Sequence, residues 1–385
     1  MKIEIDNTTE FILETLENNG FSAYVVGGSL RDILLNIPTH DIDIATNATP
    51  GQVRQIFEEY TVVDTGLKHG TVTLIIDHIP YEITTFRTEG VYSDNRRPDT
   101  VFFSDFIEDD LKRRDFTVNA LAYSPKSGLI DLFGGISDLE NKILRAVGEP
   151  EKRFSEDALR IIRGLRFASV LSFEIEPITK SAMLEYSELL KNIAVERIYN
   201  ELIRMLGGKK FDLILREFLY IFNMIIPKIT LPEKDITTLT SPVFRLATLF
   251  KNAEDAGIAL RSLKADSATI KQVITLLNSS PIPEDRVQIK RFLSKISLTA
   301  LDIALFRQQF FGETGAYERI KDIMNSGECY SLGHLAINGI DIVNLGFSGS
   351  EVGKILKILL DMVIEGTLEN TKDTLLKAVI NIDNR

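Results

Sequence analysis

Hydrophobic positions along this chain change their period once, near residue 150. Before it, short apolar runs at 21–26, 40–45, 71–76 and 80–85 are rich in Val, Ile, Tyr and Thr, the composition of buried strands. Helical stretches separate some of them, one over Thr8–Asn19 and another after Thr49–Pro50, where proline suits a first helical turn. From about Lys152 onward the strand signal stops. Apolar residues then recur at helical spacing through Arg153–Val170, Ile193–Leu206, Phe211–Ile226, Pro242–Lys251 and Gly353–Gly366. Pro227, Pro232, Pro242, Pro281 and Pro283 punctuate this second part. The pattern predicts an α+β chain: a mixed α/β head followed by an all-α remainder. The most apolar stretch, Phe218–Ile226, is broken by Asn223 and too short to span a bilayer.

Two features of the head carry chemistry. The first is Gly27-Gly28-Ser29-Leu30-Arg31-Asp32, directly after an apolar strand. Glycines there let the backbone approach a phosphate, the next helix offers its free N–H groups, and Arg31 adds a charge-assisted contact. The second is His40-Asp41-Ile42-Asp43-Ile44. On a strand, residues i and i+2 share a face, so Asp41 and Asp43 point one way and the isoleucines the other. Two such carboxylates repel unless a cation bridges them. Mg²⁺ binds carboxylates together with phosphate oxygens, and two ions can clamp the attacking and leaving oxygens of a phosphoryl transfer. Glu82, in the alternating run Tyr81–Phe86, is the candidate third carboxylate. Asp77 precedes His78–Pro80 and reads as a turn residue. The His40–Asp41 doublet raises a metal-dependent phosphohydrolase. That chemistry needs several histidines, and the others are only His69, His78 and His334, without ligand spacing.

Further on, one helix over Arg153–Val170 would align Asp157, Arg160 and Arg163 as a polar stripe, with Arg166 at its edge. Leu159, Ile162 and Leu165 form the apolar side. A carboxylate only accepts and a guanidinium only donates. An Asp157–Arg160 pair therefore matches the amino group and ring nitrogen of cytosine or adenine. Uracil and guanine present the opposite pattern, leaving groups unpaired at roughly 1–3 kcal/mol each. Arg163 and Arg166 lie along the same face, suited to a triphosphate. Between Phe86 and Asp105 runs a polar stretch, Arg87–Asp99, with Gly90 and Pro98 and no period. Loops of ~15 residues inside a domain are usually functional or disordered.

Taken in order, these motifs resemble those of the class II tRNA nucleotidyltransferases, the CCA-adding enzymes. That family is related to bacterial poly(A) polymerases within the polymerase-beta-like superfamily. Gly27–Asp32 with Asp41 and Asp43 is similar to the metal-binding motif, and Arg113–Leu121 to the ribose motif. Asp131–Leu139 is similar to the hinge, Glu156–Phe167 to the base-selecting template and Val195–Leu202 to the neck brace. Leu335–Gly346 to Glu365–Asn370 resembles the tail that meets the tRNA elbow.

The resemblance implies a nucleotidyltransferase head at 1–150, a neck at 151–205, a body at 206–300 and a tail at 301–385. It implies a Mg²⁺ site, two ions, on Asp41 and Asp43, with Glu82 completing the catalytic set. Nucleotide contacts are expected from Gly28, Arg31, Arg114, Asp115, Asp157, Arg160, Arg163 and Arg166. Within that set Arg114 would meet the phosphates and Asp115 the ribose, while Glu156 would hold Arg160. The flexible loop, with Glu89, Tyr92, Asp94, Arg96 and Arg97, would govern the switch from C to A and is present in full. The substrates implied are CTP, ATP and the tRNA 3′ end, with C, C and A added and pyrophosphate released. Three alternatives stay open: an enzyme adding only the terminal A, a poly(A) polymerase, and a non-catalytic tRNA-binding protein. Poly(A) polymerases typically carry a basic extension, which is not seen after the tail. Intact Asp41, Asp43, Arg114, Asp157 and Arg160 speak against a decayed head.

Composition refines this picture. At 385 residues the chain exceeds one ordinary core. Its single cysteine, Cys329, excludes an intrachain disulfide and a Cys-rich zinc site, and fits a reducing, cytoplasmic setting. MKIEIDNTTE lacks the basic and apolar regions of a signal peptide. A net charge of −11 argues against a protein that coats nucleic acid. The charge is uneven, however. Residues 1–150 hold 13 basic and 25 acidic residues, 151–205 nine of each, and 206–385 hold 22 and 21. A basic cluster, Arg286, Lys290, Arg291 and Lys295, stands out in the last part. This distribution suits an enzyme that recognises one folded RNA by shape.

Overall fold

Seven strands of the first 150 residues assemble into one sheet, and its register is what places the chemistry. The computed structural model describes residues 3–39, 42–90, 100–296 and 299–383. They form two units, Met1–Leu231 with Ile258–Ala265, and Pro232–Gly257 with Asp266–Arg385.

In the first unit the strands are β1 (Ala23–Val26), β2 (Ile42–Thr46), β3 (Thr61–Gly66), β4 (Thr71–Ile76), β5 (Ile79–Thr85), β6 (Arg87–Glu89), β7 (Val101–Phe103), β8 (Leu121–Ser124) and β9 (Gly128–Asp131). Seven form a mixed sheet in the order β3-β4-β5-β2-β1-β8-β9, while β6 and β7 pair separately. Within the seven, β2 and β5 are the parallel pair, with Asp43 opposite Glu82 and Ile44 opposite Ile83. Register partners on parallel strands share a face. Ile42, Ile44, Tyr81 and Ile83 are all buried on one side. Asp43 and Glu82 therefore stand side by side on the other. The β4–β5 hairpin turns on Asp77 and His78, both at positive φ (50° and 65°), the geometry of a two-residue hairpin.

The helices of this unit are α1 (Asn7–Asn18), α2 (Gly27–Leu34), α3 (Pro50–Ile56), α4 (Ile107–Lys112), α5 (Gly135–Asn141), α6 (Pro150–Glu156), α7 (Leu159–Leu171), α8 (Pro177–Glu185), α9 (Val195–Leu206), α10 (Phe211–Glu217) and α11 (Leu219–Ile225). Tyr24, Val26, Ala45, Phe86, Ile107, Leu111 and Ala122 close a core between the sheet and α4.

Two expected helices are broken. The stretch Arg153–Val170 is α6 and α7, interrupted at Asp157, whose backbone is extended at φ −135° and ψ 101°. Asp157 Oδ1 accepts the Leu159 N–H at 3.0 Å, so the side chain caps the second helix instead of continuing the first. Phe211–Ile226 is likewise α10 and α11, divided at the fully buried Phe218. One two-residue strand, Glu174–Ile175, pairs with Ile143–Leu144 beyond the point where the sequence shows no strand signal.

The second unit is helical. Leu335, Ile337, Ile342, Ile355, Leu359, Leu360, Ile364, Leu375 and Val379 form one core under its last three helices, Gly339–Asn344, Ser350–Ile364 and Lys372–Asp383. Among the described residues no helix is long and apolar enough to cross a membrane.

Candidate active site

The site begins where β1 meets α2. Gly27 opens the helix at φ +70°, and a Cβ there would lie 2.6 Å from Arg114 Nη1 and 3.6 Å from Asp43 Oδ2. The positive φ favours glycine here, and any side chain would also have to displace the Arg114 guanidinium. At Gly28 a Cβ would meet only Arg31, at 3.5 Å. The Ser29 hydroxyl donates to the Val26 carbonyl at 2.8 Å and accepts the Asp43 N–H at 3.1 Å, which ties α2 to β2.

Beside this junction lies a cavity of about 530 Å³. Its walls include Gly27, Gly28, Arg31, Asp43, Arg114, Asp115, Asp157, Arg160, Arg163 and Arg166, so every nucleotide-contact residue expected from the sequence faces one space. Arg113, Asn119, Phe167, Arg197 and Arg204 line it as well. Glu82 stands next to Asp43 in the sheet, and Glu156 lies behind Arg160. Asp41 falls outside the described residues, as do Tyr92, Asp94, Arg96 and Arg97. Of Glu89 only the backbone, in β6, is described.

Each arginine is aimed by a particular acceptor. Asp110, fully buried on α4, accepts Arg113 through Oδ1 (2.6 Å from Nη2) and Arg114 through Oδ2 (2.9 Å). Glu156 accepts Arg160 at 2.7 Å and Arg153 at 2.7 Å, while Arg160 also donates to the carbonyls of Arg153 and Arg113. Arg166 pairs with Glu201 of α9. Asp157 Oδ2 accepts Arg197 Nη2 at 3.0 Å. The single polar stripe anticipated for one helix is therefore corrected. Asp157 sits at the helix break, bonded to Arg197, and Arg160 and Arg163 project from α7.

Asp115 is the most saturated group. Its Oδ2 accepts Arg163 Nε at 2.8 Å and Nη2 at 2.7 Å. Its Oδ1 accepts the Phe116 N–H at 2.9 Å and Asn119 Nδ2 at 3.0 Å. Burial alone would raise this carboxyl's pKa. The Arg163 charge, the hydrogen bonds from Asn119 and Arg163, and the Arg160 charge outweigh it and hold the group far below the usual range. Burial of Asp110 is likewise outweighed by Arg113 and Arg114, which lower its pKa. Phe167 supplies an apolar seat for like charges. Arg166 lies 3.9 Å from its ring centroid, Arg31 4.9 Å and Arg163 5.4 Å.

The result is a pocket rich in guanidinium groups whose orientations are fixed in advance. Arg114 Nε and Arg197 Nη1 are buried and without a hydrogen-bond partner among the described residues. Such a pocket favours a polyanion. Several of these groups escape sequence reading. Arg197, Glu201 and Arg204 share one face of α9 at four- and seven-residue spacing, a stripe that the helical rule reveals. Asp110 precedes Arg113 and Arg114 by three and four residues, again a local signal. Asn119 and Phe167 carry no charge to mark them, and the contact they share, Arg31, comes from a distant part of the chain.

A glycine-opened helix and a strand carboxylate beside a polyanion pocket define the class: an enzyme that transfers nucleotidyl groups. Residues 23–145 match the Poly A polymerase head domain. Residues 172–227 match the probable RNA and SrmB-binding site of polymerase A, and 237–379 a putative second domain of tRNA nucleotidyltransferases. The CCA-adding enzyme of Lactobacillus helveticus is 37% identical, over 97% of this chain and 96% of that protein. That of Ligilactobacillus salivarius is 41% identical, over 95% and 94%. The crystal structure of the Bacillus stearothermophilus CCA-adding enzyme in complex with CTP superimposes with a TM-score of 0.79 at 31% identity, over 97% of this chain and 96% of that one. The Thermotoga maritima CCA-adding enzyme complexed with tRNA shares the fold, with a TM-score of 0.67 at 20% identity over 98% of this chain and 96% of that one. The chain belongs to the CCA-adding enzyme family and is a tRNA nucleotidyltransferase.

Proposed function

We propose that this chain adds C, C and A to the tRNA 3′ end from CTP and ATP, without a nucleic-acid template, in the cytoplasm. One observation carries the reading: Asp157, Arg160, Asp115, Arg114 and Arg163 all line the cavity that also receives Asp43. Base, sugar and phosphate readers thus share one space.

In this reading the incoming base meets Asp157 and Arg160, which accept and donate as cytosine or adenine requires. Glu156 keeps Arg160 in place. Asp115 receives a ribose hydroxyl. Arg31, Arg114, Arg163 and Arg166 hold the triphosphate and stabilise the charge that develops on the departing pyrophosphate. The tRNA 3′ oxygen forms a bond to the α-phosphorus while the bond to the pyrophosphate oxygen breaks. Enzymes of this class generally use divalent cations. Asp43 and Glu82, paired in register, offer the hard oxygen donors that suit Mg²⁺, and Asp41 would join them. Among the described residues no group of three or more His, Cys, Asp or Glu is arranged to hold a metal. When bound, two such ions would lower the pKa of the attacking hydroxyl and screen the phosphates. The loop with Glu89, Tyr92, Asp94, Arg96 and Arg97 would govern the change from C to A. Residues 1–150 would serve as head and 151–205 as neck, with 206–300 as body and 301–385 as tail toward the tRNA elbow.

The test uses purified protein, Mg²⁺ and a tRNA lacking its last three nucleotides, with CTP and ATP separately and together. Three added residues, C, C then A, are expected. Extension only of a tRNA already ending in CC would make it an A-adding enzyme, a long A tract a poly(A) polymerase. No product with any nucleotide would overturn the reading.

A further inference from the structure

We propose that a cavity of the second unit, flanked by Lys271 and Lys295, receives the sugar–phosphate backbone of base-paired RNA, the helical arm of the tRNA substrate. The proposal rests on the reading above only in taking tRNA as the partner, and it adds a docking place outside the nucleotide cavity. The basic cluster Arg286, Lys290, Arg291 and Lys295 is not uniform. Arg286 pairs with Asp322 and Glu328, Lys290 with Glu328, and Arg291 with Glu365. Lys295, in the last turn of the helix Arg286–Ile296, is exposed and has no acidic partner among the described residues. Lys271, on the helix Ser267–Leu277, is exposed and without one in the same way. Both line a cavity of about 600 Å³, together with Gln272, Thr275 and Thr299. Among the described residues no carboxylate lines it.

These groups suit one ligand chemistry. Two ammonium groups on one cavity, with no counter-charge in its wall, attract anions, and lysine binds phosphate as a point charge. A single phosphate would fill only part of 600 Å³. A length of backbone fills more, because it offers successive phosphates joined by sugars. The other three groups are neutral and form hydrogen bonds, as sugar hydroxyls require. Thr275 donates its hydroxyl to the Lys271 carbonyl at 2.8 Å, which leaves its oxygen to accept. Gln272 Nε2 makes a long contact, 3.4 Å, to Asp302 Oδ2. Lys271, Gln272 and Thr275 share one face of their helix at three- and four-residue spacing, so phosphate and sugar contacts lie side by side. Base-paired RNA presents that combination: its wide, shallow minor groove displays 2′-hydroxyls between phosphates. The lysines hold the phosphates, and Thr275 and Gln272 meet the sugars. Contacts to backbone carry no base sequence, so the site serves every tRNA alike.

The experiment measures, by fluorescence anisotropy, the binding of a tRNA lacking its last three nucleotides, between about 50 and 200 mM salt. It compares wild type with K271Q/K295Q and R286A. The double variant should bind more weakly, with a salt slope shallower by about 0.9 for each lysine. Its KM for tRNA should rise, while kcat and KM for CTP and ATP stay as in wild type. R286A is the control, because its guanidinium is already matched by two carboxylates. A second arm compares an RNA hairpin with a DNA hairpin of the same sequence. T275V should narrow the preference for RNA about threefold, the loss of one hydrogen bond, and leave the salt slope alone. A wild-type slope in K271Q/K295Q overturns the proposal. So does an equal loss of slope in R286A, which would make the contact a diffuse effect of charge. An unchanged hairpin preference in T275V overturns the assignment of the sugar contacts. Binding is read without nucleotide addition, so an enzyme that holds tRNA through these lysines yet adds no C, C and A removes only the functional reading.

Discussion

Asp115 shows how one side chain can be structural and chemical at once. Its carboxylate is ionised inside the fold because Arg163 and Asn119 face it. In the unfolded chain an aspartate titrates near pH 3.9. A carboxyl whose folded pKa is depressed contributes stability that is fully present above the unfolded value and is lost as pH falls through the folded one. For a strongly depressed group this is on the order of 2–3 kcal/mol. Asp115→Asn should therefore unfold at lower urea than wild type by the same margin at pH 7 and pH 5. That margin should shrink only below about pH 4. A margin that already narrows between pH 7 and 5 would mean that the carboxyl is not held ionised. Gly27 offers a second residue-scale test. Gly27→Ala places a methyl group 2.6 Å from the Arg114 guanidinium at φ +70°, so nucleotide KM should rise about tenfold while the fold is kept. Gly28→Ala, with no such encounter, should change KM far less. Equal effects from the two substitutions, read by steady-state kinetics, would contradict the geometry.

At the scale of elements, legibility followed burial. Strands β4 and β5, and most of β1 and β2, can be read from their Val, Ile, Tyr and Thr runs. β8, Leu121–Ser124, cannot. Like β1 it is four residues long and buried throughout, but Leu-Ala-Tyr-Ser contains no β-branched residue to mark it as a strand. β3 fails for the opposite reason, being an edge strand whose residues are mostly exposed and polar. The α6–α7 break was invisible to a period count because Asp157 fits the helical spacing, and only its capping bond to Leu159 reveals the turn. The motif residues of the cavity were legible because each carries a charge or a glycine in a local pattern. Their distant partners were not: Arg163 meets Asp115 across 48 positions and Arg166 meets Glu201 across 35. Such pairings depend on how α7 packs against α9 and the head. Gly164 makes that packing testable. In a free helix, Gly to Ala gains about 1 kcal/mol. Here the added Cβ would lie 2.2 Å from Met183 Cε and 2.9 Å from Phe116 Cζ, and overpacking of this kind costs about 1–3 kcal/mol. Packing should win, because the Phe116 ring is fully buried and cannot retreat. Gly164→Ala should lower the melting temperature, and a raised one would show that the seam between α7 and α8 has slack.

At the scale of the whole molecule, the net charge of −11 misleads twice. The acidity belongs to residues 1–150, yet the pocket those residues help to build is lined with arginines. Conversely, the basic cluster of the second unit is largely neutralised. Arg286 donates to Asp322 at 2.7 Å and to Glu328 at 2.8 Å, Lys290 lies 3.2 Å from Glu328, and Arg291 pairs with Glu365. Hydrogen bonds from Arg286 hold the Glu328 carboxyl down to about 2, so the pair stays ionised at any assay pH. A cation already matched to two carboxylates brings little new charge to a phosphate. Binding that neutralises a phosphate releases counterions, and each such contact steepens the dependence of log affinity on log salt by about 0.9. Arg286→Ala should therefore leave the salt slope of tRNA KM within about half a unit of wild type. A slope shallower by about one unit would mean that Arg286 abandons Asp322 and Glu328 for the RNA backbone. Shape, carried by the arrangement of helices, would then have to share recognition with charge in a part of the chain whose basic and acidic residues nearly balance.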